Sequence, residues 1–102
     1  MNDNRLDFID SLKEVVVQLN KIKRTYASER SKTIAELQNK IWDEPALQIE
    51  ELYFLQDLAS DFNFYEPIEK DRNLALGYYD DARLLELINA ASKQIEPFLV
   101  SR

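Results

Sequence analysis

One glycine and three prolines in 102 residues leave this chain few places to turn sharply. A β-sheet protein reverses direction every few residues, and its turns draw on Gly, Asn-Gly or Asp-Gly to reach positive φ. Here Gly77 is the lone glycine, and Pro45, Pro67 and Pro97 are the lone prolines. Between them the apolar residues recur at helical spacing. The expected fold is all-α, a single domain over residues 1–102 arranged as an antiparallel four-helix bundle, or five helices if residues 67–76 form a short one.

Asp3 or Asn4 can cap a first helix running to about residue 26. At about 100° per residue, Leu6, Phe8, Ile9, Leu12, Val15, Val16, Val17, Leu19 and Tyr26 cover more than half its circumference, so more than one neighbour is expected. Lys21, Lys23 and Arg24 crowd its last turns, where cations complement the helix dipole. That plain account is preferred to a nucleic-acid patch. Residues 28–31 read as a polar elbow, although no breaker there forbids one bent helix through Trp42. Ile34, Leu37 and Ile41 line a second segment over residues 32–42, which Asp43-Glu44-Pro45 closes. Pro45 suits the first position of a third helix over residues 45–62. Leu47, Phe54, Leu55, Leu58, Ala59 and Phe62 fall on one third of its surface, and Glu51 is expected to leave that arc for solvent or a partner. Residues 63–79 show no single period; Pro67 can open a short helix that Gly77 would end. Asp80 or Tyr79 caps the last helix, with Asp81 in its first turn. Leu84, Leu87, Ile88, Ala91, Ile95 and Leu99 form its seam, and Pro97 is expected to distort its end.

Charge is segregated along the chain. The first forty residues hold six acids and eight bases, the remaining sixty-two thirteen acids and five bases, for a net of −6. Residues 43–69 carry eight carboxylates and no Lys or Arg. Like charges held together destabilise a compact state, so such a region is suited to meeting something positive. On a continuous third helix, Glu50, Asp57 and Asp61 lie within about 40° of one another and form an exposed acidic edge, with Tyr53 bordering it. A row of carboxylates can occupy the phosphate sites of a nuclease's basic cleft. Nucleic acid itself is the least favoured partner, because binding it requires Lys and Arg to neutralise phosphate.

The absences are equally informative. Without Cys or His there is no disulfide, thiolate chemistry, Cys/His zinc site or histidine acid–base catalysis. No apolar run reaches the ~20 residues of a membrane helix, and the opening Met-Asn-Asp-Asn-Arg lacks the order of a signal peptide, so a cytoplasmic protein without membrane contact is expected. Asp57/Asp61, Glu66/Glu69 and Glu69/Asp71 could in principle share Mg²⁺ or Mn²⁺. Acid pairs at helical spacing are common by chance, however, and the expectation is a non-enzyme with no cofactor. Phe54 and Phe62 belong to the core by periodicity. Tyr53, Tyr65, Tyr78 and Tyr79 have no such claim: tyrosine suits interface centres, and covering a loop is an equal alternative for each.

The stretch Glu50-Glu51-Leu52-Tyr53-Phe54-Leu55-Gln56-Asp57-Leu58-Ala59, then Phe62, the Tyr65-Glu66-Pro67 corner and Gly77-Tyr78-Tyr79-Asp80-Asp81-Ala82-Arg83-Leu84, resembles the helical immunity proteins of bacterial toxins, particularly the colicin D immunity type. The likeness covers residues 47–99, while residues 1–46 carry none. It implies a bundle that presents acids to the basic active site of a tRNA-cleaving toxin domain, as in related proteins of contact-dependent growth inhibition systems. By that resemblance Glu50, Asp57, Asp61, Glu66, Glu69, Asp80 and Asp81 are the positions that would meet the toxin; Tyr53, Tyr65 and Tyr79, suggested by their residue type rather than by the resemblance, would anchor it. Two readings of other classes stand beside this one: a helical adaptor docking on another basic protein, and a carboxylate-metal hydrolase. Self-association stays open.

Overall fold

The computed structural model describes the backbone of residues 4–100 and the side chains of residues 8–26 and 29–99. Its four α-helices are α1 (Asn4–Arg24), α2 (Ala27–Asp43), α3 (Tyr53–Asp61) and α4 (Asp81–Val100), with short 3-10 turns in the connections from α2 to α3 and from α3 to α4. No β-strand occurs among the described residues. The helices pack in a ring, α1 on α2 and α4, α3 on α2 and α4. Neighbours run antiparallel, as their cross-contacts require. Arg30 near the start of α2 reaches Ile22 near the end of α1, whereas Lys40 near the end of α2 reaches Glu14. Likewise Lys23 meets Asn89, and Phe8 meets Phe98 edge-on at 5.8 Å.

The interior is built from one apolar face per helix: Leu12, Val15, Leu19 and Ile22; Ile34, Leu37 and Ile41; Leu55, Leu58, Ala59 and Phe62; Leu84, Ile88, Ala91 and Ile95. Removing such side chains from water drives the collapse, at roughly 1.5–3 kcal/mol for each large one. The seams expected for α2 and α4 are the observed ones, and Phe54 stacks on Phe98 at the edge. On α1 the outcome is narrower. Val17 and Tyr26 face solvent, Ile22 takes a core place, and the side chain of Leu6 and the cap candidate Asp3 lie outside what is described.

Three boundaries differ from expectation. The break between α1 and α2 falls at Thr25 and Tyr26, not at residues 28–31, which belong to α2. Tyr26 is extended (φ −114°, ψ 163°), and the Thr25 hydroxyl and Arg30 Nε both donate to Ile22 O, at 3.1 and 3.0 Å. The end of α1 is thus fixed by groups that reach back to its free carbonyls. The α2 side of the joint needs no breaker.

Residues 45–52 are not the first turns of a long helix. They form two 3-10 turns, Pro45–Leu47 and Glu50–Leu52, with Ile49 extended between them. Leu47 and Leu52 are both buried five residues apart, a spacing that a continuous helix would place about 140° apart on different sides. Tertiary burial of both leucines therefore favours the broken path. Residues 67–76, read as one short helix, are likewise two 3-10 turns, Glu69–Asp71 and Leu74–Leu76. Gly77 ends the second with φ +87°, the left-handed conformation that favours glycine. The last helix matches its expected extent: α4 runs to Val100, past the seam residue Leu99, with Pro97 inside its last turn.

A candidate acidic docking surface

The acidic side of the molecule is positioned by two glutamines. Gln48 Nε2 donates to Ile41 O (2.5 Å), a free carbonyl in the last turn of α2, and to Glu44 O (3.2 Å) just beyond it. Gln48 Oε1 accepts from Gln56 Nε2 at 2.7 Å, which ties that end to α3. Gln38 of α2 donates to Ala59 O (2.8 Å) and Asn63 Oδ1 (2.9 Å) where α3 finishes. With Leu55, Leu58 and Ala59 turned inward, Asp57 and Asp61 are left exposed one turn apart. Glu50 and Glu51 are also exposed, but in the 3-10 turn ahead of α3. The angular argument that set Glu50 in register with Asp57 and Asp61 assumed a continuous helix and does not hold. Among the described residues, no Lys or Arg nitrogen comes within 4.0 Å of the carboxylate oxygens of Glu50, Asp57, Asp61, Glu66 or Glu69.

Beyond α3 the chain makes a closed excursion over residues 65–79. Its ends meet in an isolated parallel bridge between Tyr65 and Tyr79. Tyr79 N donates to Phe64 O at 2.8 Å and Glu66 N to Tyr79 O at 2.9 Å. The rings reinforce the closure, Tyr65 against Tyr79 at 6.2 Å and Phe64 edge-on to Tyr78 at 5.4 Å. Inside the excursion Arg72 turns back, its Nε donating to Glu66 O (2.8 Å) and its NH2 to Pro67 O (3.1 Å). This is an Ω-loop, ordered by its own hydrogen bonds.

A second device locks that loop to the bundle. Arg30 is about nine-tenths buried. Its guanidinium donates to Ile22 O and, at 3.4 Å, to Lys23 O of α1, while NH1 lies 2.7 Å from Asp81 Oδ1 at the start of α4. The Tyr65 hydroxyl donates to the same Asp81 oxygen. Burial, then the Asp81 hydrogen bond, push the Tyr65 phenol up to about 12 against the opposing pull of Arg30. Tyr79 donates to Asp61 O at 2.5 Å, and its phenol is also raised, first by burial and then by the Asp61 charge. Asp80 accepts from Arg83 N at 3.1 Å, the N-cap expected of it.

The ten residues singled out in the sequence therefore divide. Tyr65, Tyr79, Asp80 and Asp81 are each engaged in holding the loop or starting α4. Tyr53, half exposed at the start of α3, and Glu50, Asp57, Asp61 and Glu69 are exposed; Glu66 is half-buried with one oxygen accepting from Ile68 N. Lys70 and Arg72 interrupt the acidic run in sequence, but Arg72 spends its donors on carbonyls of its own loop. Arg30 was not singled out. Its one sequence signal is a cation in the first turn of a helix, the wrong end of the dipole unless another acceptor claims it.

A shallow depression of about 340 Å³ beside the end of α2 is lined by Asn39, Lys40, Asp43 and Glu44. Its cation, Lys40, is already paired with Glu14 at 2.5 Å and Glu44 at 3.7 Å. No group of three or more acids suited to a metal ion occurs among the described residues. No helix among them is long and apolar enough to cross a membrane. Comparison with protein-family models, with curated proteins and with solved structures finds no match.

Proposed function

We propose that this chain is an immunity-type inhibitor that covers the basic active-site cleft of a cytotoxic nuclease domain with the acidic surface centred on α3. The observation that carries this reading is the pair Asp57 and Asp61, exposed one turn apart with no cation within 4.0 Å among the described residues, in a stretch of sequence that contains no base. Carboxylates neutralised inside the fold would leave nothing to steer a partner. Unpaired ones on a rigid helix attract a cationic cleft at a distance and can occupy the places of substrate phosphates. The likeness of residues 47–99 to colicin D-type immunity proteins supports the same partner class, a tRNA-cleaving domain.

The test uses the product of the adjacent gene, which this reading expects to end in a basic nuclease domain. Nuclease activity is expected to be abolished at equimolar inhibitor. The association rate is expected to fall steeply as salt rises, because screening shortens the reach of the charges to about 10 Å at 0.1 M. Asp57→Lys with Asp61→Lys should slow association and leave the helical circular dichroism intact. An association rate indifferent to ionic strength, or a nuclease unaffected by the protein, would reject the reading.

A further inference from the structure

The Ω-loop presents a contradiction that the acidic surface does not explain. Neither of its 3-10 turns contains a buried residue, yet its backbone is pinned throughout: closed by the Tyr65–Tyr79 bridge, crossed by Arg72, and turned by Asn73, whose Oδ1 accepts from Ala75 N at 3.0 Å. What this ordering holds in place is apolar and in water. Leu74 is 76% exposed, Leu76 64%, Ile68 50% and Phe64 40%. Scattered single apolar residues on a surface need no explanation, but several on one self-ordered loop mark an interaction site.

The charge around them restricts what can cover it. Residues 61–81 contain six acids and two bases, and one of those bases, Arg72, is turned onto loop carbonyls. A second copy of this chain would bring the same acids against these, and an anionic lipid surface would be repelled in the same way. A protein whose apolar pocket is rimmed by Lys and Arg satisfies both the leucines and the carboxylates. Resting on the reading of a basic partner, we infer that residues 65–79 are the anchor of the complex: Leu74 and Leu76 enter an apolar pocket on the partner while Glu66, Glu69 and Asp71 meet cations at its rim. The α3 acids then govern encounter, and the loop governs how long the complex lasts. Tyr65, Asp81 and Arg30 are positioning residues for the anchor.

Two measurements on the full chain test this. The first needs no partner: amide chemical shifts are followed during titration with hexylguanidinium, an aliphatic chain with a cationic head, and with hexylsulfate, its anionic counterpart. Hexylguanidinium is expected to move amides within residues 64–78, hexylsulfate to move them less, and Leu74→Ser with Leu76→Ser to abolish the response at unchanged Tm. No response, a response elsewhere, or no preference for the cation overturns the inference, as does a dimer held through the leucines in sedimentation. The second is dissociation from the nuclease domain that the proposed function expects as partner. The double serine variant should leave about tenfold faster or more, with association and its salt dependence unaltered. Unaltered dissociation in that variant overturns the anchor and leaves the nuclease reading standing. Failure of the unsubstituted chain to bind the nuclease, with the hexylguanidinium response intact, rejects the nuclease reading and keeps the cation-rimmed docking site.

Discussion

Replacing Arg30 by Met should be among the most damaging single polar changes in this protein, and for a reason that its ion pair does not supply. The side chain is only 10% exposed, but its partner Asp81 is 56% exposed, so solvent screens that pair and it contributes up to about 1 kcal/mol. The larger share lies in the donations to Ile22 O (3.0 Å) and Lys23 O (3.4 Å), which satisfy free carbonyls at the end of α1. A hydrogen bond from a charged donor is worth about 1.5–3 kcal/mol; the shorter contact is assigned that range and the longer one only a fraction of it. Thr25 keeps two bonds to Ile22 O in the variant, from its N at 3.3 Å and its hydroxyl at 3.1 Å, which limits the loss. The expected cost of Arg30→Met is about 3 kcal/mol, a large part of the ~5–15 kcal/mol that holds a typical domain. Asp81→Asn retains an acceptor for both Arg30 and Tyr65 and should cost about 1 kcal/mol or less. Urea unfolding with circular dichroism measures both, and the double variant measures their coupling. If Arg30→Met costs no more than Asp81→Asn, the carbonyl contacts contribute nothing and the account of the α1–α2 joint is wrong. Arg30→Lys should recover little, since an ammonium cannot fork between the two helices.

Alkaline pH should weaken the fold through Tyr65 and Tyr79. Both phenols are raised above their unfolded value of 10.0, so the stability they contribute is complete below pH 10 and is lost as pH rises through the folded value, about 12 for Tyr65. Phenolate absorbance and unfolding midpoints followed upward from pH 9 check this, and Tyr65→Phe should flatten part of the decline. Gly77→Ala should cost about 1–2 kcal/mol from backbone conformation alone, because φ is +87° and an added Cβ would meet nothing within 4 Å; a neutral result in thermal unfolding would contradict the loop geometry. Leu52→Ala should cost about 2–5 kcal/mol despite its place in a short turn, since the side chain is fully buried. A loss below 1 kcal/mol by denaturant titration would show residues 50–52 to be peripheral.

Periodicity carried the helices because their information is local. A seam such as Leu84, Ile88, Ala91 and Ile95 is fixed by 3.6 residues per turn, and the scarcity of Gly and Pro leaves little else for the chain to do. The same rule misled over residues 45–52, where a continuous helical wheel absorbed Leu47 but not Leu52 and tied Glu50 to Asp57 and Asp61. Short 3-10 turns have no period to read, so their course depends on which side chains the rest of the bundle buries. Of the candidate site, the charge of α3 was legible because Asp57 and Asp61 are separated by one turn. The roles of Tyr65, Tyr79 and Asp81 were not, because their partners lie 16 to 51 residues away.

The amino-acid order by itself determined an all-helical chain, four amphipathic segments and a negative second half, all properties that depend on residues within one or two turns of each other. Folding decided which charges remain free. Asp81 is claimed by Arg30 and Glu14 by Lys40, while Asp57 and Asp61 find no base within 4.0 Å of their carboxylates among the described residues. It also decided that residues 65–79 close into an ordered loop with leucines in water. Both outcomes rest on contacts between distant segments, which form only once burial of the apolar seams has brought those segments together.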